Sequence, residues 1–580
     1  MQPLFRRGWS AIELIFIVNM NTQKIIVYQV LPRLFGNTNT TNKPNGTIAE
    51  NGSGKMDAFT KKALTEIKKM GYSHIWYTGL IEHATKTDYS AEGIAKDHPA
   101  VVKGVAGSPY AIKDYYDIDP DLATQVPQRM SEFESLVERT HEAGLKLIID
   151  FIPNHVARQY QSDAKPKGVV DLGEKDNLHT TYDVNNNFYY IPGQEFAPDF
   201  NSSDNNGVVY KESPAKATGN DRFDAHPGIN DWYETVKLNY GIDYLGGHHR
   251  YFDPAPDTWH KMLQILLFWA SKKIDAFRCD MAEMVPVEFW GWAIPQVKKK
   301  YRNVDFIAEI YNPDAYRAYI FDGKFDYLYD KVGLYDTLRA VIRGEESAAA
   351  ITHCWQSLDD IRDKMLYFLE NHDEQRIASD FFAGNPKKAF PAMIVAATLY
   401  SNPLMVYFGQ ELGEKGMDKE GFSGKDGRTT IFDYWSIESV RNWYNDGRFG
   451  LKNLTKEQTE IRNFYNKLLN FCNTEKAISK GISYDLMYAN YNNPNFNPAK
   501  QFAFMRQSGK ETILVIVNFE DHDVAVSVCL PAHAFEFMKI KTGKTTATNL
   551  FSGKEHTLEL YPDACVDCKV PANHGIMLRF

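Results

Sequence analysis

The sequence predicts an α/β fold built on a (β/α)₈ TIM barrel, with an inserted domain after the third strand and a C-terminal antiparallel β-sandwich. Three observations lead to this prediction. Short apolar runs recur over roughly 400 residues, and helix-like segments lie between most of them. After about residue 480 the pattern changes to strands without helices. Alternating strands and helices are typical of a parallel barrel, whereas consecutive strands indicate an antiparallel domain.

Eight apolar runs supply the predicted barrel strands. They lack the strict alternation of a half-exposed strand, which indicates burial on both faces of a parallel sheet. In chain order they are KIIVYQV (24–30), SHIWYTG (73–79), LKLIIDF (145–151), IDAFRCD (274–280), VDFIAEI (304–310), FDYLYD (325–330), LYFLENHD (366–373) and LMVYFGQ (404–410).

Three segments between these runs place apolar residues at helical spacing. They cover residues 56–71, 128–144 and 257–273, and the first two end at Gly71 and Gly144. Glycine commonly terminates a helix because it adopts the left-handed conformation without strain. These segments are therefore predicted to be barrel helices.

The insertion after the third strand is the largest departure from a plain barrel. About 120 residues separate the third run from the fourth, and much of this stretch is polar and rich in Gly and Asn. A loop of this length indicates a functional segment or a small inserted domain. The predicted parts are an N-terminal extension (1–19), the barrel (20–155 and 241–478), the inserted domain (156–240) and the β-sandwich (479–580).

Composition and the N-terminus bear on partners and location. The net charge of −9 over 580 residues argues against nucleic-acid binding, which requires a concentrated basic surface. Arg6 and Arg7 precede AIELIFIV in the manner of a signal peptide, but Glu13 interrupts the run and no small-residue cleavage site follows. The run is shorter than the ~20 residues that span a bilayer. We expect a cytoplasmic protein without a membrane anchor, a secreted or periplasmic one being the alternative, and the oligomeric state stays open.

The cysteines show no disulfide framework. There are six, and Cys565 and Cys568 form one C-x-x-C pair without a second pair or a His-x-His partner nearby. A zinc site would require more ligands than this pair offers, and a redox role is the minor alternative. We therefore expect reduced, structural cysteines.

Polar side chains follow four of the predicted strands. In this architecture the carboxyl ends of all strands meet at one mouth of the barrel, where the chemistry takes place. Each of these residues by itself has a structural explanation, such as a cap, a buried ion pair or a satisfied histidine, but their coincidence at strand ends favours a site. The residues are Asp150, Asn154, His155, Arg278, Asp280, Glu309, Asn371, His372 and Asp373.

These residue types suit cleavage of a glycosidic bond. One carboxylate attacks the anomeric carbon while a protonated one donates to the leaving oxygen, and a separation of ~5–5.5 Å gives retention. Arg278, two residues before Asp280, points to the same side of its strand and is expected to keep Asp280 ionised. Glu309 follows FIA, and an apolar surround is expected to raise its pKa.

Four short segments resemble the conserved regions of the α-amylase family of glycoside hydrolases (glycoside hydrolase family 13), and they occur in the order of that family. A fifth resembles the segment between the second and third strands, and the similarity covers essentially the chain from residue 24 onward. The segments are DFIPNH (150–155), DAFRCD (275–280), FIAE (306–309), ENHD (370–373) and SPYAIKDYYDIDPDL (108–122).

The resemblance implies a role for each residue of the predicted site. It also identifies the insertion with the family's domain B and the C-terminal domain with domain C. By this resemblance Asp280 is the nucleophile, Glu309 the general acid/base, Asp373 the transition-state stabiliser, Arg278 the residue that orients Asp280, His155 and His372 hydrogen-bond donors to the sugar, Tyr110 the stacking platform, and Asp150 a support for this network.

No cofactor is expected to be required, and a structural calcium ion is the only one that the resemblance suggests. Asn154 occupies a position that binds calcium in many relatives, but those relatives often carry Lys-His where this chain has Glu283 and Met284. The loop GNTNTTNKPNG (36–46) is rich in oxygen atoms, yet its composition favours a hydrogen-bonded turn. The identity of any metal ligand is therefore left unknown.

The predicted function is a retaining α-glucan hydrolase that cleaves α-1,4 bonds in starch, glycogen or maltooligosaccharides. A transglycosylase, or an enzyme for α-1,6 or other α-glucosides, would share this chemistry. The stretch YFDPAPDTWHKM (251–262) lacks the QPDLN pattern of α-1,6-specific relatives, which favours α-1,4 bonds.

Two alternatives belong to other classes. A metal-dependent hydrolase on the same barrel would use Asp150, His155, Asp280 and His372 as ligands, but the first strand lacks the His-x-His pair that is usual in such enzymes. A carbohydrate-binding relative without catalysis would not need the intact acidic trio.

Overall fold

The computed structural model describes residues 24–358, 360–422 and 424–580. The predicted extension at residues 1–19 lies outside this part of the chain. Within the described residues, no helix has the length and apolar character needed to cross a membrane.

Eight parallel strands form the predicted barrel. They pair in the order β7-β6-β5-β4-β3-β2-β1-β8, and a parallel bridge between Tyr367 and Leu404 joins the two ends of this order. Seven of the predicted apolar runs each contain one strand, whereas the run at 366–373 overlaps its strand only at Leu366. The strands are β1 (Ile26–Val30), β2 (His74–Tyr77), β3 (Lys146–Phe151), β4 (Ala276–Cys279), β5 (Asp305–Ala308), β6 (Tyr327–Tyr329), β7 (Met365–Leu366) and β8 (Leu404–Tyr407).

Helices follow each strand and include the three that the sequence predicted. Thr60 caps the first helix by accepting a hydrogen bond from the Ala63 N–H, and its buried face carries Ala63, Leu64 and Ile67. The α-helices of five or more residues before the C-terminal strands are α1 (Lys61–Lys69), α2 (Arg129–Glu142), α3 (Asp257–Ser271), α4 (Val287–Lys300), α5 (Tyr316–Phe321), α6 (Asp336–Arg343), α7 (Ala350–Ser357), α8 (Phe390–Thr398), α9 (Glu438–Tyr444), α10 (Lys456–Thr474) and α11 (Lys476–Lys480).

The barrel interior is apolar toward the amino ends of the strands and polar toward their carboxyl ends. One cluster of buried side chains contains a residue from every strand: Val27, Trp76, Ile148, Ala276, Ile307, Tyr329, Leu366 and Met405. Because side chains two residues apart on a strand point the same way, the next layer toward the carboxyl ends contains Gln29, Asp150, Arg278 and Glu309. The two-residue period of the strands therefore places these polar residues next to the apolar layer, on its carboxyl-end side.

The insertion between β3 and α3 folds into small antiparallel pairs. His155–Ala157 pairs with Thr235–Lys237, Tyr190–Ile191 with Ala215–Lys216, and Ile242–Asp243 with His249–Arg250. The buried guanidinium of Arg158 contacts Glu212 at 2.6 Å and donates to the Tyr233 carbonyl, which ties distant parts of the segment together. The boundaries 156–240 stay a prediction.

The C-terminal part is antiparallel, as predicted. Six strands pair in the order β9-β10-β11-β16-β13-β14, and β12 pairs with β15 separately. A helix at Ala532–Met538 interrupts the strands, and it buries Ala534, Phe535 and Met538. The sequence analysis missed this helix. The strands are β9 (Ile482–Asp485), β10 (Gln501–Ser508), β11 (Glu511–Asn518), β12 (Val524–Cys529), β13 (Gly543–Asn549), β14 (Glu555–Leu560), β15 (Cys565–Val570) and β16 (His574–Arg579).

The expectation that all cysteines are reduced was wrong. Cys529 and Cys565 form a disulfide, although 36 residues separate them in the chain. The antiparallel register of β12 and β15 places these two residues directly opposite each other. Cys568, the other half of the C-x-x-C pair, is a free thiol.

Candidate active site

A cavity of about 360 Å³ contains the side chains that the sequence predicted for the site. Its walls also include residues of the inserted segment and of the long loop after β8. Asp150 and Arg278 do not themselves line the cavity, although Arg278 contacts the carboxyl groups of Asp150 and Asp280. The predicted residues that line it are Tyr110, His155, Asp280, Glu309, His372 and Asp373.

Arg278 joins the carboxyl groups of three neighbouring strands. Its Nη1 lies 2.7 Å from Asp280 Oδ1 and 3.6 Å from Asp150 Oδ1, and its Nη2 lies 2.7 Å from Glu309 Oε1. The strand register produces this arrangement, because Cys279 pairs with Phe151 on one side and with Ala308 on the other. Asp280 and Glu309 therefore follow paired positions on adjacent strands and share one guanidinium.

The guanidinium of Arg278 is held among aromatic rings. The rings of Trp76, Tyr110 and Tyr329 lie 5.1, 5.4 and 5.5 Å from its central carbon, and Nε donates to the Tyr329 hydroxyl at 3.2 Å. Burial disfavours the charge, but the surrounding anions, Glu309 foremost, outweigh this and raise the pKa of Arg278. The arginine therefore stays protonated and supplies the positive charge at the base of the pocket.

The protonation of Asp280 differs from the expectation. Burial raises the pKa of Asp280 well above its usual range, and the neighbouring Glu309 adds to this, while Arg278 acts in the opposite direction. Arg278 therefore acts on Asp280 in the expected direction, but burial acts more strongly in the free site. The pocket therefore favours retention of a proton among its acidic groups.

The carboxylate of Glu309 has a polar environment. It accepts hydrogen bonds from the Met281 N–H at 2.8 Å and from the Tyr311 hydroxyl at 2.7 Å, in addition to the Arg278 contact. The predicted apolar surround is therefore absent at the carboxyl oxygens. These donors hold the side chain in one orientation toward the cavity.

Asp150 supports the base of the pocket. Its Oδ2 accepts hydrogen bonds from Trp76 Nε1 at 3.0 Å and from the Gly79 N–H at 3.2 Å. Burial raises the pKa of Asp150 to about 6, and Arg278 opposes this rise. The side chain lies beneath Asp280 and Glu309 rather than capping a loop.

His372 is held on both ring nitrogens. Gln29 Nε2 lies 2.8 Å from its Nδ1, and the Tyr110 hydroxyl lies 2.6 Å from its Nε2. The Tyr110 and His372 rings also stack with centroids 5.1 Å apart. Burial, reinforced by Arg278, lowers the pKa of His372 well below its usual value, so the imidazole is neutral.

Asp373 lies closer to solvent than the other two predicted catalytic carboxyls. Its side chain is 35% exposed, against 8% for Asp280 and 3% for Glu309. Its carboxylate lies 3.1 Å from His372 Nε2. Burial and repulsion from Glu309 raise the pKa of Asp373 to about 7.

His155 forms part of the wall that the inserted segment contributes. Its ring lies 5.2 Å from that of Trp232, and its Nδ1 contacts the Asn154 amide at 3.1 Å. Burial lowers the pKa of His155 to about 3, with repulsion from Lys237 adding to this. The imidazole is therefore neutral, as in His372.

Several residues of the pocket were missed by the sequence analysis. Gln29 and Tyr311 could have been found, because Gln29 lies two residues after the core residue Val27 and Tyr311 lies two residues after Glu309. Trp232, Phe422 and other loop residues carry no such signal, since their loops have no regular period. The missed lining residues include Lys103, Trp232, Glu234, Tyr311, Phe422 and Phe432.

The residues around Asn154 do not fit a calcium ion. The Lys237 ammonium donates to Asn154 Oδ1 and lies 2.6 Å from Asp221 Oδ1. The Asn154 amide nitrogen donates to the Gly219 carbonyl at 2.8 Å. A side-chain cation therefore occupies the position beside Asn154 that a metal would require.

The loop at residues 36–46 also uses its amide oxygens internally. Asn39 Oδ1 accepts from the Thr41 N–H, and Asn42 Oδ1 accepts from the Ser436 N–H. These contacts are those of a hydrogen-bonded turn. No step of the chemistry below involves a metal.

The four residues of the metal-dependent alternative are not arranged as ligands. Asp150 accepts from Trp76 and Gly79, and the ring nitrogens of His372 contact Gln29 and Tyr110. The Arg278 guanidinium already lies between Asp150 and Asp280. The geometry therefore disfavours a shared metal at this place.

Comparisons with known proteins show similarity to α-amylases and related enzymes. The family model described as "Alpha amylase, catalytic domain" matches residues 29–312. The chain is 25% identical over 394 residues to "Alpha-amylase 3" of Dictyoglomus thermophilum, covering 64% of this chain and 68% of that protein. It is 23% identical over 418 residues to a cyclomaltodextrin glucanotransferase of Geobacillus stearothermophilus, covering 68% of this chain and 50% of that protein.

Solved structures share the fold over almost the whole chain. A noncanonic maltogenic α-amylase from Thermotoga neapolitana superimposes with a TM-score of 0.59 at 21% identity, covering 97% of this chain and 99% of that one. Among the first four curated relatives, the match spans between 44% and 68% of their own length.

Proposed function

The chain belongs to the α-amylase family of glycoside hydrolases, and from this premise we propose that it is a retaining hydrolase of α-1,4-glucosidic bonds in starch, glycogen or maltooligosaccharides. One observation carries the proposal: Asp280 and Glu309 contact the two terminal nitrogens of one guanidinium, each at 2.7 Å, beside a cavity that Asp373 also lines. Two carboxyls this close to a common group suit the short separation of a retaining enzyme.

In the first step of the proposed reaction, the Asp280 carboxylate attacks the anomeric carbon of the bound glucosyl unit. Glu309, protonated, donates its proton to the glycosidic oxygen, and the C–O bond breaks. The leaving sugar departs with a new hydroxyl group, and a glycosyl ester forms on Asp280. The polar donors from Met281 and Tyr311 keep Glu309 aimed at that oxygen.

In the second step, water replaces the leaving sugar. The Glu309 carboxylate takes a proton from water, and the oxygen attacks the anomeric carbon and releases Asp280. Two inversions give net retention. Arg278, fixed by Tyr329 and its aromatic surround, orients Asp280 and stabilises it as a leaving carboxylate.

The neighbouring side chains bind the sugar ring in this proposal. His155 and His372 are neutral imidazoles and donate to ring hydroxyls, while Asp373 accepts from them. Positive charge develops on the ring in the transition state, so the ionised Asp373 near the mouth strengthens its contact at that moment. The Tyr110 ring, stacked on His372, offers a flat apolar face to the sugar.

A transglycosylase is the second candidate, because it uses the same glycosyl ester with a sugar hydroxyl as the acceptor in place of water. Trp232, Phe422 and Phe432 line the cavity and offer apolar faces to an acceptor sugar. The similarity to a cyclomaltodextrin glucanotransferase supports this candidate equally. An α-1,6 preference remains the third.

The nucleophile is tested by trapping. A fluorinated α-glucosyl donor slows the second step, so the chain should gain the mass of one glycosyl unit. Peptide mapping should locate this unit on Asp280, and the Asp280→Asn variant should remain unlabelled. A label on another residue would identify that residue as the nucleophile in place of Asp280. Binding of the donor without labelling would favour the non-catalytic, carbohydrate-binding alternative.

The substrate is tested by a time course of products from amylose, pullulan and a cyclodextrin. An α-1,4 hydrolase should shorten amylose and release reducing ends in proportion to bonds broken. Products longer than the starting amylose would favour transglycosylation. Cleavage of pullulan to maltotriose units would favour the α-1,6 preference.

A further inference from the structure

Three acidic side chains outside the pocket come together from separate parts of the chain. Glu82 follows β2, Asp117 lies in the segment before α2, and Asp163 belongs to the inserted segment. Each offers one carboxylate oxygen, and these oxygens all lie within 4.8 Å of one another. We call these three residues the acidic cluster.

Glu82 gives an independent reason to expect a ligand. Its side chain is 99% buried, since its exposed fraction is 1%, and its Oε2 has no hydrogen-bond partner among the described residues. Its backbone is fixed, because its N–H donates to the Asp117 carbonyl at 3.0 Å. A buried carboxyl oxygen without a donor is costly unless a proton or a cation compensates it.

The neighbouring Asp114 shows how the same region satisfies a carboxylate without a ligand. Its oxygens accept from the Ser162 hydroxyl at 2.6 Å and from the backbone N–H groups of Tyr116, Asp163 and Ala164. It therefore adds negative charge beside the acidic cluster without needing a further partner.

The protein supplies too little positive charge here. Arg129 Nη2 contacts Asp117 Oδ2 at 2.5 Å, and Lys113 is engaged by Asp97 at 3.0 Å. Within residues 24–358, 360–422 and 424–580, the contacts of the acidic cluster with side-chain cations are therefore limited to the Arg129 guanidinium at Asp117.

We propose that Glu82, Asp117 and Asp163 bind one Ca²⁺ ion. Calcium–oxygen distances are about 2.3–2.6 Å, so two oxygens on one ion lie at most about 5 Å apart, and the observed 4.8 Å limit satisfies this condition. Carboxylates from three irregular segments suit the flexible coordination of Ca²⁺ better than the rigid octahedron of Mg²⁺. Asp163 is exposed, which leaves room for water ligands.

The ion would connect the barrel to the inserted segment. Glu82 and Asp117 belong to the barrel loops, whereas Asp163 follows His155 by eight residues in the chain. Gln161 donates its N–H to the Lys113 carbonyl, and Lys113 follows Tyr110 by three residues. Bound Ca²⁺ would therefore stabilise the two segments that carry Tyr110 and His155 into the pocket.

The experiment measures calcium binding to the metal-stripped chain by titration calorimetry with CaCl₂. One ion per chain is expected. Glu82→Gln, a neutral isostere of the protonated group, and Asp163→Asn, on an exposed side chain, should each weaken binding by about 10-fold or more. The control is Glu92→Gln, an exposed acid outside the acidic cluster, which should bind as the wild type does.

Thermal unfolding gives the second readout. Added CaCl₂ should raise the midpoint of the wild type and of Glu92→Gln, and it should raise that of the two cluster variants much less. The absence of binding in the wild type would overturn the proposal, and Glu82 would then hold a proton. Binding that both cluster variants retain would also overturn it. Labelling of Asp280 by the fluorinated donor is independent of either result.

Discussion

The pocket around Arg278 and the acidic cluster both bring three carboxyls together from distant parts of the chain, but they differ in their counter-charge. In the pocket, Asp150, Asp280 and Glu309 surround one guanidinium that aromatic rings enclose. In the acidic cluster, Arg129 contacts Asp117 from one side, and Glu82 Oε2 has no donor in the part of the chain that the structure describes. In the pocket, the counter-charge is an arginine side chain of the protein itself. In the acidic cluster, the proposed counter-charge is a Ca²⁺ ion from solution.

This difference shows how one fold can use buried acids for two purposes. A covalently attached cation is always present and cannot be exchanged, so it suits groups that must keep a fixed orientation during a reaction. A bound ion can join segments that the chain itself does not connect, so it suits stabilisation. The region beside Asn154, where Lys237 supplies the charge, belongs to the first kind.

The largest effect is expected for Asp280→Asn. The amide cannot attack the anomeric carbon, so kcat should fall by about four orders of magnitude or more. Glu309→Gln should act similarly on substrates with a poor leaving group. The matched variant Glu82→Gln should keep kcat within about 10-fold of wild type at 25 °C, because it lies outside the pocket. Near-wild-type turnover in Asp280→Asn would contradict the catalytic role of the pocket and with it the functional difference between the pocket and the acidic cluster.

Arg278→Lys should give the second largest effect. A single ammonium cannot contact Asp280 and Glu309 through two separate nitrogens, so kcat should fall by about 100-fold or more. Arg278→Met should also lower the free energy of unfolding by about 3–5 kcal/mol, since it leaves buried carboxyls without their cation.

Arg129→Met tests the same comparison in the acidic cluster. Arg129 is 12% exposed, and an added Ca²⁺ ion can compensate the charge of Asp117. The variant should therefore lose less free energy of unfolding in the presence of CaCl₂ than in EDTA. Urea unfolding in both buffers measures it. If Arg278→Met and Arg129→Met lost the same free energy of unfolding in CaCl₂, the proposed difference in counter-charge between the two sites would be contradicted.

Asp150→Asn tests the pH dependence of the pocket. The folded-state pKa of about 6 exceeds the unfolded value near 3.9, so the stability that protonated Asp150 contributes is fully present below about pH 4. It is lost as the pH rises through about 6, by about 3 kcal/mol in total. The asparagine should remove this loss while keeping an acceptor for Trp76. Urea unfolding between pH 4 and 8 measures it, and parallel curves for the two proteins would contradict the assignment.

Lys237→Met should give a smaller effect than the variants above. It removes the partner of Asn154 and Asp221, but Asp221 is 39% exposed and can be solvated by water, so the loss should be about 1–2 kcal/mol. Lys387→Met removes an exposed ion pair with Glu460 and should cost less than about 0.5 kcal/mol. Thermal unfolding of both variants compares them. A calcium requirement that the wild type shows and Lys237→Met lacks would contradict the role given to Lys237.

Much of the barrel and of the pocket could be predicted from the sequence. The barrel strands coincide with apolar runs, and polar residues follow four of these runs, so Asp280, Glu309 and Asp373 were identified without knowing any contact. The helix Ala532–Met538 was missed because seven residues between strands carry too little period to recognise. The disulfide was missed because the pairing of Cys529 with Cys565 depends on the register of two strands, which no local pattern reveals.

The environments of the site residues were harder to predict than their positions. The sequence suggested an apolar surround for Glu309, because FIA precedes it along the strand. Its actual donors are Met281 and Tyr311, which approach from the loops that follow β4 and β5. A side chain at a strand end is surrounded mainly by residues of neighbouring strands, so its own sequence neighbours are a poor guide.

The sequence by itself determined which residues enter the barrel mouth, because strand period and strand ends are local properties of the chain. Only the tertiary structure decided which charges those residues meet: one guanidinium for Asp150, Asp280 and Glu309, an ammonium for Asn154, and, over the residues that the structure describes, no donor for Glu82 Oε2. The reason is physical. Electrostatic contacts depend on distance in space, and Glu82 and Asp163 become neighbours only when the inserted segment folds back against the barrel loops.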